Sequence, residues 1–362
     1  MRRFRTPVIV AVAVLMLAAF SLGSISCSQK PIVGVLMPKL DVDRWSIDGA
    51  SIKRQLEAKQ YTVIEEYAND DAALQIQQIE KIIKNKNCKI LIIAAVDCYG
   101  LNDTLKKARD KNIIIIAYDR LIMNTKYVDY YVTFDNFGIG ADQGKYIAEA
   151  FELGKKDSGS IYMEILSGAL DDSTSKENYD GQMSVLKPYI DDGKVIVKSG
   201  KTSLEATGIA EWATKNAKAQ IAGILGAHYR DNKIDVILST NDSMAIGAME
   251  ALREAGYTEA DWPVITGMDC DLDNVLAIRD GWQAISMFID MRLMAMVAVN
   301  LAEDALYGKT HPNLNRSYYN NMEQGTANIV PAAVCAFTRV DANNYIDILV
   351  TGHRLYDIED LK

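Results

Sequence analysis

Two apolar runs, each followed at once by a polar pair, constrain the fold of this chain most strongly. Residues 113–118 read IIIIAY and precede Asp119-Arg120, and residues 128–134 read VDYYVTF and precede Asp135-Asn136. Runs this short and apolar are typical of strands buried on both faces of a parallel sheet. Ligands of such sheets bind beyond the carboxyl ends of the strands, where the strand order reverses. The two polar pairs therefore indicate a candidate ligand site.

Strands and helices alternate along the rest of the chain, which predicts right-handed βαβ units and an α/β fold with parallel sheets. The predicted strands span residues 32–37, 62–67, 89–96, 113–118, 128–134, 160–166, 195–198, 236–239, 264–266, 283–288 and 329–337. The predicted helices span residues 44–59, 73–85, 101–111, 139–153, 176–189, 208–229, 244–255 and 291–307. The alternation restarts halfway without a Gly/Pro-rich linker, so we expect two lobes joined by short crossovers.

Residues 1–26 have the layout of a secretory signal peptide. Three arginines at positions 2, 3 and 5 precede an apolar run over residues 7–20 and then small residues. A transmembrane helix needs about 20 apolar residues, so an uncleaved membrane anchor is the less favoured alternative. Removing these arginines takes the formal net charge from −9 to −12. An acidic exported protein is a poor candidate for nucleic-acid binding, which depends on clustered Lys and Arg.

The stretch Ser24-Ile25-Ser26-Cys27 resembles a bacterial lipobox, with Ser24 where leucine is usual. The resemblance implies cleavage before Cys27 and a lipid on its sulfur. Residues 27–30 would then form a tether that holds an exported, periplasmic or cell-surface protein at a membrane. Ordinary cleavage without lipidation is the alternative.

The other cysteines are Cys88, Cys98, Cys270 and Cys335, for which neither a Cys88–Cys98 bridge nor a zinc site is expected. Cys88 and Cys98 bracket one predicted strand, so they would lie about 30 Å apart, too far for a bridge. The spacing of cysteines and histidines matches no zinc motif.

Acidic residues stand at the ends of five predicted strands. They are Asp97, Asp119, Asp135, Asp242 and Asp269. Helix capping explains each one alone, because the carboxylate accepts the orphan N–H groups of the next helix. Five of them at one edge of the sheets, two beside Arg120 or Asn136, favour a polar binding cleft.

Several stretches resemble the exported monosaccharide-binding proteins of ABC importers, particularly the multiple-sugar and xylose-binding branch. The matching stretches are Arg44-Trp45, AYDRLI at 117–122, YVTFDN at 131–136, MSVLKPYID at 183–191, Asn241-Asp242, and Gly267 with Asp269. The resemblance covers essentially the whole mature chain. It implies the type I periplasmic binding protein fold, in which two Rossmann-like lobes joined by a three-crossover hinge close over one sugar.

The resemblance also implies the lobe boundaries and the partners. The N-terminal lobe is expected over residues 31–135 with 290–325, and the C-terminal lobe over 136–289 with 326–362. The implied partners are a monosaccharide, an ABC permease and its ATPase. We expect a monomer without a cofactor.

The chemistry of a pyranose agrees with the residues at these positions. A buried hydroxyl left without a partner costs about 1–3 kcal/mol, and the C–H faces of the ring suit flat aromatic partners. The residues expected at the hydroxyl rim are Arg44, Asp119, Arg120, Asp135, Asn241 and Asp269. The ligand-binding residues implied by the resemblance also include Asp172, Ser173, Thr174 and Asp242. Trp45 and Trp212 are expected to stack on the ring. Core packing is the alternative for both, and for Trp212 the two alternatives are nearly even.

Departures from the family pattern concentrate in the second lobe. Ser173 and Thr174 replace two asparagines, Ile289 replaces a lysine, and Met268 replaces a glutamine. Each change shortens or removes a polar side chain that could contact the ligand. We hypothesise a sugar with fewer hydroxyls on that side, such as a deoxy sugar, or water in the gap.

Other functions have weaker support. The first strand–helix turn, PKLDVDRW at 38–45, contains no glycine, and no Walker loop, G-x-S-x-G elbow or Cys/His pair is present. Catalysis is therefore not expected. Residues 269–274 carry acids at alternate positions, as in a calcium loop, but lack its glycine and closing glutamate. The main alternative is a sensor that presents a sugar or furanosyl signal to a membrane receptor through the same cleft.

Overall fold

The computed structural model of the protein describes residues 31–40, 43–156 and 159–361. The predicted signal peptide, the tether and Cys27 lie outside the described residues. Within those ranges, none of the helices combines the length and the apolar character needed to cross a membrane.

The first lobe is built on a parallel sheet. Its strands are β1 (Ile32–Met37), β2 (Thr62–Tyr67), β3 (Cys88–Ile93), β4 (Ile114–Tyr118), β5 (Tyr130–Phe134) and β11 (Ala332–Cys335). The described residues form one six-stranded sheet in the order β11-β5-β4-β3-β1-β2. Strands β1 and β4 are almost wholly buried, since helices cover both faces of the sheet.

Four helices cover this sheet in the described residues. They are α1 (Asp43–Ala58), α2 (Ala72–Ile82), α3 (Asn102–Arg109) and, from late in the chain, α10 (Met291–Leu306). Helix α10 packs on α1 and on β3 to β5. Ile52 and Leu56 of α1 and Met294 and Val299 of α10 belong to the same buried apolar cluster. This packing holds the start of α1 beside the carboxyl ends of the strands.

In the part of the second lobe that the structure describes, there are two smaller sheets. Strands β6 (Ile161–Leu166), β7 (Val195–Ile196), β8 (Val236–Ser239) and β9 (Val264–Ile265) pair in parallel in the order β7-β6-β8-β9. Strands β10 (Ile285–Ile289) and β12 (Phe337–Asp341) form an antiparallel pair. The helices of this lobe are α4 (Asn136–Ala150), α5 (Ser173–Asp191), α6 (Leu204–Thr207), α7 (Thr214–His228), α8 (Asp242–Glu254) and α9 (Leu272–Arg279). A π-helix follows at Ile346–Gly352.

The chain passes between the lobes three times within the described residues. The crossovers lie between β5 and α4, between β10 and α10, and between β11 and β12. Each crossover is one residue long, at Asp135, Asp290 and Ala336 respectively. The α/β fold with parallel sheets and a three-crossover hinge is therefore confirmed.

Two sequence-based predictions are wrong at the carboxyl end of the chain. The single strand predicted over 329–337 is two strands, because β11 pairs with β5 whereas β12 pairs with β10. Consequently residues 332–335 belong to the first lobe, although 326–362 was assigned wholly to the second. Strand pairing decides this point, and β propensity alone does not specify a strand's partner.

The long helix predicted over 208–229 is also wrong. The chain forms α6, a 3₁₀ turn at Ala210–Trp212 and then α7. Glu211 and Trp212 have φ values of 60° and 54°, which an α-helix does not accommodate. Trp212 therefore lies in an irregular turn.

Candidate functional site

The start of α1 places three polar and aromatic side chains at the carboxyl edge of the first sheet. Arg44 forms an ion pair with Asp119, the residue that follows β4. Arg44 Nε also lies 3.9 Å from Asp48 Oδ2, one helical turn further on. Trp45, the third, is 6% exposed and packs into the first-lobe core.

Asp269 of the second lobe completes this group of charges. Its Oδ1 lies 4.0 Å from Arg44 Nη1, and its backbone N–H donates to the Met287 carbonyl at 3.0 Å. We call Arg44, Asp48, Asp119 and Asp269 the binding cluster. Burial alone would lower the pKa of the Arg44 guanidinium, but the three surrounding carboxylates outweigh burial and raise it.

Asp48 was missed by the sequence analysis. Its side chain is fully buried, and the Tyr118 hydroxyl donates to its Oδ1 at 2.8 Å. Burial raises its pKa to about 8, against the opposing effects of Arg44 and Tyr118. The available signal was its spacing, since residues four apart on a helix lie on the same face and Arg44 was already a candidate.

The backbone is unusual at three of the predicted site residues. Asp119 has a φ of 62°, Trp212 a φ of 54° and Asp269 a φ of 105°. Residues other than glycine rarely adopt positive φ, and such conformations cost about 1–3 kcal/mol each. Such residues cluster at ligand sites, where the surrounding fold holds them in place. All three are therefore candidates for direct ligand contact.

Among the described residues, five buried polar atoms in this region lack a hydrogen-bond partner. They are Arg44 Nε, Asp48 Oδ2, Arg120 Nε, Trp212 Nε1 and Asp269 Oδ1. Three come from the first lobe and two from the second. More than nine in ten buried polar groups in folded proteins are hydrogen-bonded, so an unpartnered set marks a place where a ligand completes the network. Three donors and two acceptors suit a molecule whose hydroxyls both donate and accept.

The two tryptophans have different surroundings. The guanidinium carbons of Arg44 and Arg120 lie 4.7 Å and 5.2 Å from the Trp45 ring centroid, within cation–π distance. Trp212 packs against the cluster that contains Trp45 and Met268. A Cβ on Gly168 would collide with the Trp212 ring, so a glycine is needed there. Stacking of either ring on a sugar stays a prediction.

Asn241 and Asp242 support the site from behind. Asn241 caps α8 through the Met244 N–H, and its Nδ2 lies 3.4 Å from Asp269 Oδ2. Asp242 is fully buried. Its oxygens accept from Ser286 Oγ at 2.9 Å and Gln283 Nε2 at 2.8 Å.

Asp242 therefore bonds to the protein itself, whereas the sequence predicted that it binds the ligand. Its Oδ2 also accepts the Asp271 N–H at 3.0 Å, so both oxygens are occupied by the protein. Burial, with the neighbouring charges of Asp271 and Asp269, raises its pKa well above the usual range for a carboxyl.

The start of α5 contacts the other lobe. Arg120 Nε lies 2.8 Å from Asp172 Oδ2, and the Ser173 hydroxyl accepts the Leu121 N–H at 2.8 Å. Thr174 Oγ1 donates to Asp172 Oδ1 at 2.7 Å. Arg120, Asp172, Ser173 and Thr174 are thus brought to the cleft, but the polar contacts they make are with the protein itself.

The structure does not bring Asp135 to the binding cluster. Its side chain is exposed and accepts the Gly138 N–H at 2.9 Å, which caps α4. Asp135 is the crossover residue between the lobes. Its observed contact is the helix cap, which was the alternative to ligand contact.

The positions that depart from the family pattern contribute little polar surface. Ile289 is 2% exposed at the end of β10, and Met268 is 5% exposed. Both belong to the apolar cluster of the first lobe and the hinge. Among the described residues, no three acidic, histidine or cysteine side chains are placed to hold a metal ion.

The chain matches the periplasmic binding protein domain family over residues 33–310. It is 38% identical over 343 residues to the multiple sugar-binding periplasmic protein SbpA of Azospirillum brasilense, covering 94% of each chain. It is also 38% identical to the multiple sugar-binding periplasmic receptor ChvE of Rhizobium radiobacter, over 92% of this chain and 93% of that one.

Solved structures resemble the chain over similar lengths. An ABC transporter solute-binding protein from Clostridium phytofermentans with bound β-D-glucose superposes with a TM-score of 0.85 at 39% identity. That match covers 91% of this chain and 100% of the other. A carbohydrate-transporter solute-binding protein from Chloroflexus aurantiacus in complex with D-glucose gives 0.80 at 26% identity, covering 92% and 98%.

Proposed function

This chain belongs to the periplasmic binding protein domain family, and from that premise we propose that it binds a monosaccharide between its lobes and delivers it to an ABC-type sugar importer. The observation that carries the proposal is the set of five unpartnered buried atoms, to which both lobes contribute. A ligand that bonds to both halves stabilises the closed form, which is the form that a permease can distinguish from the open one.

The ligand is a single sugar ring of the hexose or pentose class. The relatives are named for binding several sugars, and two similar structures hold glucose. The second lobe offers an acidic side chain and an indole N–H to the cluster, while Ile289 and Met268 are apolar. This composition supports a sugar that presents fewer hydroxyls to that lobe.

Calorimetric titration with glucose, galactose, xylose, arabinose and fucose tests the proposal. Binding of at least one sugar with micromolar affinity, about −8 kcal/mol, is expected for a ligand of this size. Failure of every monosaccharide to bind would overturn the function. Equally tight binding of glucose and galactose would overturn only the expectation of fewer hydroxyls.

We further propose that the protein is exported as a monomer and held at a membrane through a lipid on Cys27. The lipobox-like stretch and the periplasmic relatives support this location. Detergent phase partitioning of the wild type and of Cys27→Ser tests the anchor. The wild type should enter the detergent phase and the variant should stay in the aqueous phase. Equal partitioning would contradict lipidation.

Sensing is the second candidate, because one of the relatives is named as a receptor. Transport and sensing use the same cleft, so only the membrane partner distinguishes them. Uptake of labelled sugar by vesicles that contain the permease and ATPase, with and without this protein, decides between the two. Uptake that does not depend on the protein would favour sensing.

A further inference from the structure

A second set of contacts crosses the cleft without involving the binding cluster. The Cys98 N–H donates to the Asp171 carbonyl at 3.3 Å. Arg120 Nε lies 2.8 Å from Asp172 Oδ2, and the Leu121 N–H donates to Ser173 Oγ at 2.8 Å. We call these three pairs the closure contact. It joins loops of the first lobe to the first turn of α5 in the second.

The closure contact leaves little polar capacity for a sugar. Arg120 Nη1 donates to the Ala95 carbonyl at 3.0 Å. Asp172 Oδ1 accepts both the N–H and the hydroxyl of Thr174, at 2.9 Å and 2.7 Å. The Ser173 hydroxyl is 9% exposed and accepts a backbone N–H of the other lobe. Arg120 Nε keeps some capacity, because its 2.8 Å approach to Asp172 Oδ2 is an ion pair without hydrogen-bond geometry, but the other unpartnered atoms in this region belong to the binding cluster and Trp212.

We propose that Asp172 and Ser173 are positioning residues that close the cleft by binding the first lobe directly, while the binding cluster recognises the sugar. The inference rests on the proposed function and deepens it, since it divides the predicted ligand-binding residues into two roles. A contact made without the ligand stabilises the closed form in the absence of sugar. It therefore slows sugar release whichever monosaccharide is bound.

The chemistry of the residues supports this division. A hydroxyl at position 173 is short enough to accept the Leu121 N–H while α5 lies against the first-lobe loops. Arg120 and Asp172 are nearly buried, with side-chain exposures of 13% and 3%. A buried carboxylate facing a guanidinium favours one relative placement of the two groups, because separating them leaves an uncompensated charge.

The test uses Ser173→Ala and Asp172→Asn in the full-length mature protein. Matched controls on the same helix are Ser184→Ala, whose hydroxyl bonds only within α5, and Asp180→Asn, which lies in an exposed pair with Lys176. Small-angle X-ray scattering without sugar reports the fraction of closed protein. Stopped-flow measurements with glucose, xylose and fucose report association and release rates separately. Thermal melting shows that each variant folds.

Both closure variants should have a larger radius of gyration than the wild type without sugar, and the same radius at saturating sugar. Release should accelerate roughly five- to tenfold for every sugar that binds, the usual effect of losing one hydrogen bond, with unchanged association. Unchanged scattering and release would overturn the proposal. So would an effect confined to one sugar, because Ser173 would then contact a particular hydroxyl.

The scattering experiment needs no sugar, which separates this inference from the proposed function. If no monosaccharide binds the wild type but Ser173→Ala and Asp172→Asn still open it, the closure contact stands and the proposed function falls.

Discussion

Arg44 and Asp269 belong to different lobes, yet the guanidinium Nη1 lies 4.0 Å from the carboxylate Oδ1. Arg44 also pairs with Asp119, so one guanidinium faces carboxylates on both sides of the cleft. Hydroxyls of a sugar ring can bridge such charges through charge-assisted hydrogen bonds, which are about twice as strong as neutral ones. A sugar that bonds to both Arg44 and Asp269 would join the two lobes, as the proposed function requires.

Replacing Asp119 with alanine should weaken sugar binding on the order of a hundredfold without unfolding the chain. The change removes the carboxylate that would accept charge-assisted hydrogen bonds from the sugar, a loss of about 3 kcal/mol in binding free energy. Calorimetry measures the affinity and circular dichroism the folding. Asp110→Ala, in an exposed pair with Lys106, is the control and should bind normally. Normal binding by Asp119→Ala would show that the site assignment is wrong.

Removing the indole N–H of Trp212 should weaken sugar binding more than folding. Trp212→Phe keeps an aromatic ring but eliminates the buried Nε1 donor, so we expect roughly a five- to tenfold loss of affinity. Trp262→Phe is the matched control, because Trp262 Nε1 donates to the Trp282 carbonyl at 2.7 Å. The control should lower the melting temperature and leave affinity intact. If Trp212→Phe instead lowered the melting temperature and left the affinity intact, Trp212 would have only a core-packing role.

The unliganded protein should lose stability as pH rises from 5 to 8. Burial raises the pKa of Asp48 to about 8 and that of Asp269 to about 7, against about 4 in an unfolded chain. The folded state therefore binds more protons than the unfolded state across this window. The contribution of Asp48 and Asp269 to the free energy of unfolding is fully present below about pH 4. It is lost as pH rises through the pKa values of these two carboxyls in the folded state.

The variant Asp48→Asn tests the assignment of this pH dependence. An amide cannot titrate, so the fall in melting temperature between pH 5 and pH 8 should be shallower than in the wild type. Asp110→Asn, on an exposed helix surface, should reproduce the wild-type slope. An Asp48→Asn slope equal to that of the wild type would contradict the raised pKa.

The buried side-chain amide of Gln143 should stabilise the two turns that contain the site residues of the second lobe. Gln143 Nε2 donates to the carbonyls of Thr240 and Gly267, each at 2.9 Å. Gln143→Leu leaves the Thr240 carbonyl without this donor and removes one of the two donors to the Gly267 carbonyl, which also accepts the Met287 N–H at 3.0 Å. We therefore expect a loss of about 2–3 kcal/mol in the free energy of unfolding and weaker sugar binding. Chemical denaturation measures the first and calorimetry the second.

Gln55→Leu provides the comparison for this substitution. Gln55 lies on α1, is half-buried and bonds to Ser51 at 3.2 Å. We expect a change within about 1 kcal/mol there. If Gln143→Leu were no more destabilising than Gln55→Leu, the support of the two turns by Gln143 would be disproved.

The sequence by itself determined the α/β fold with parallel sheets and, with the family resemblance, three of the four residues of the binding cluster. Short apolar runs specify strands because both faces are buried, and the polar residues after them must lie at one sheet edge. This reasoning located Asp119 and Asp269, and the family resemblance added Arg44. These positions follow from chain order and local periodicity, which the sequence contains directly.

Only the tertiary structure decided which strand-end residues face the cluster. Asp135 caps a helix, Asp242 is enclosed by Ser286 and Gln283, and the start of α5 binds the other lobe instead of presenting free groups. Asp48 was identified as a site residue only from the structure, in which its carboxylate lies beneath Arg44. Each outcome depends on side-chain partners brought together from distant parts of the chain, and local sequence patterns do not specify such partners.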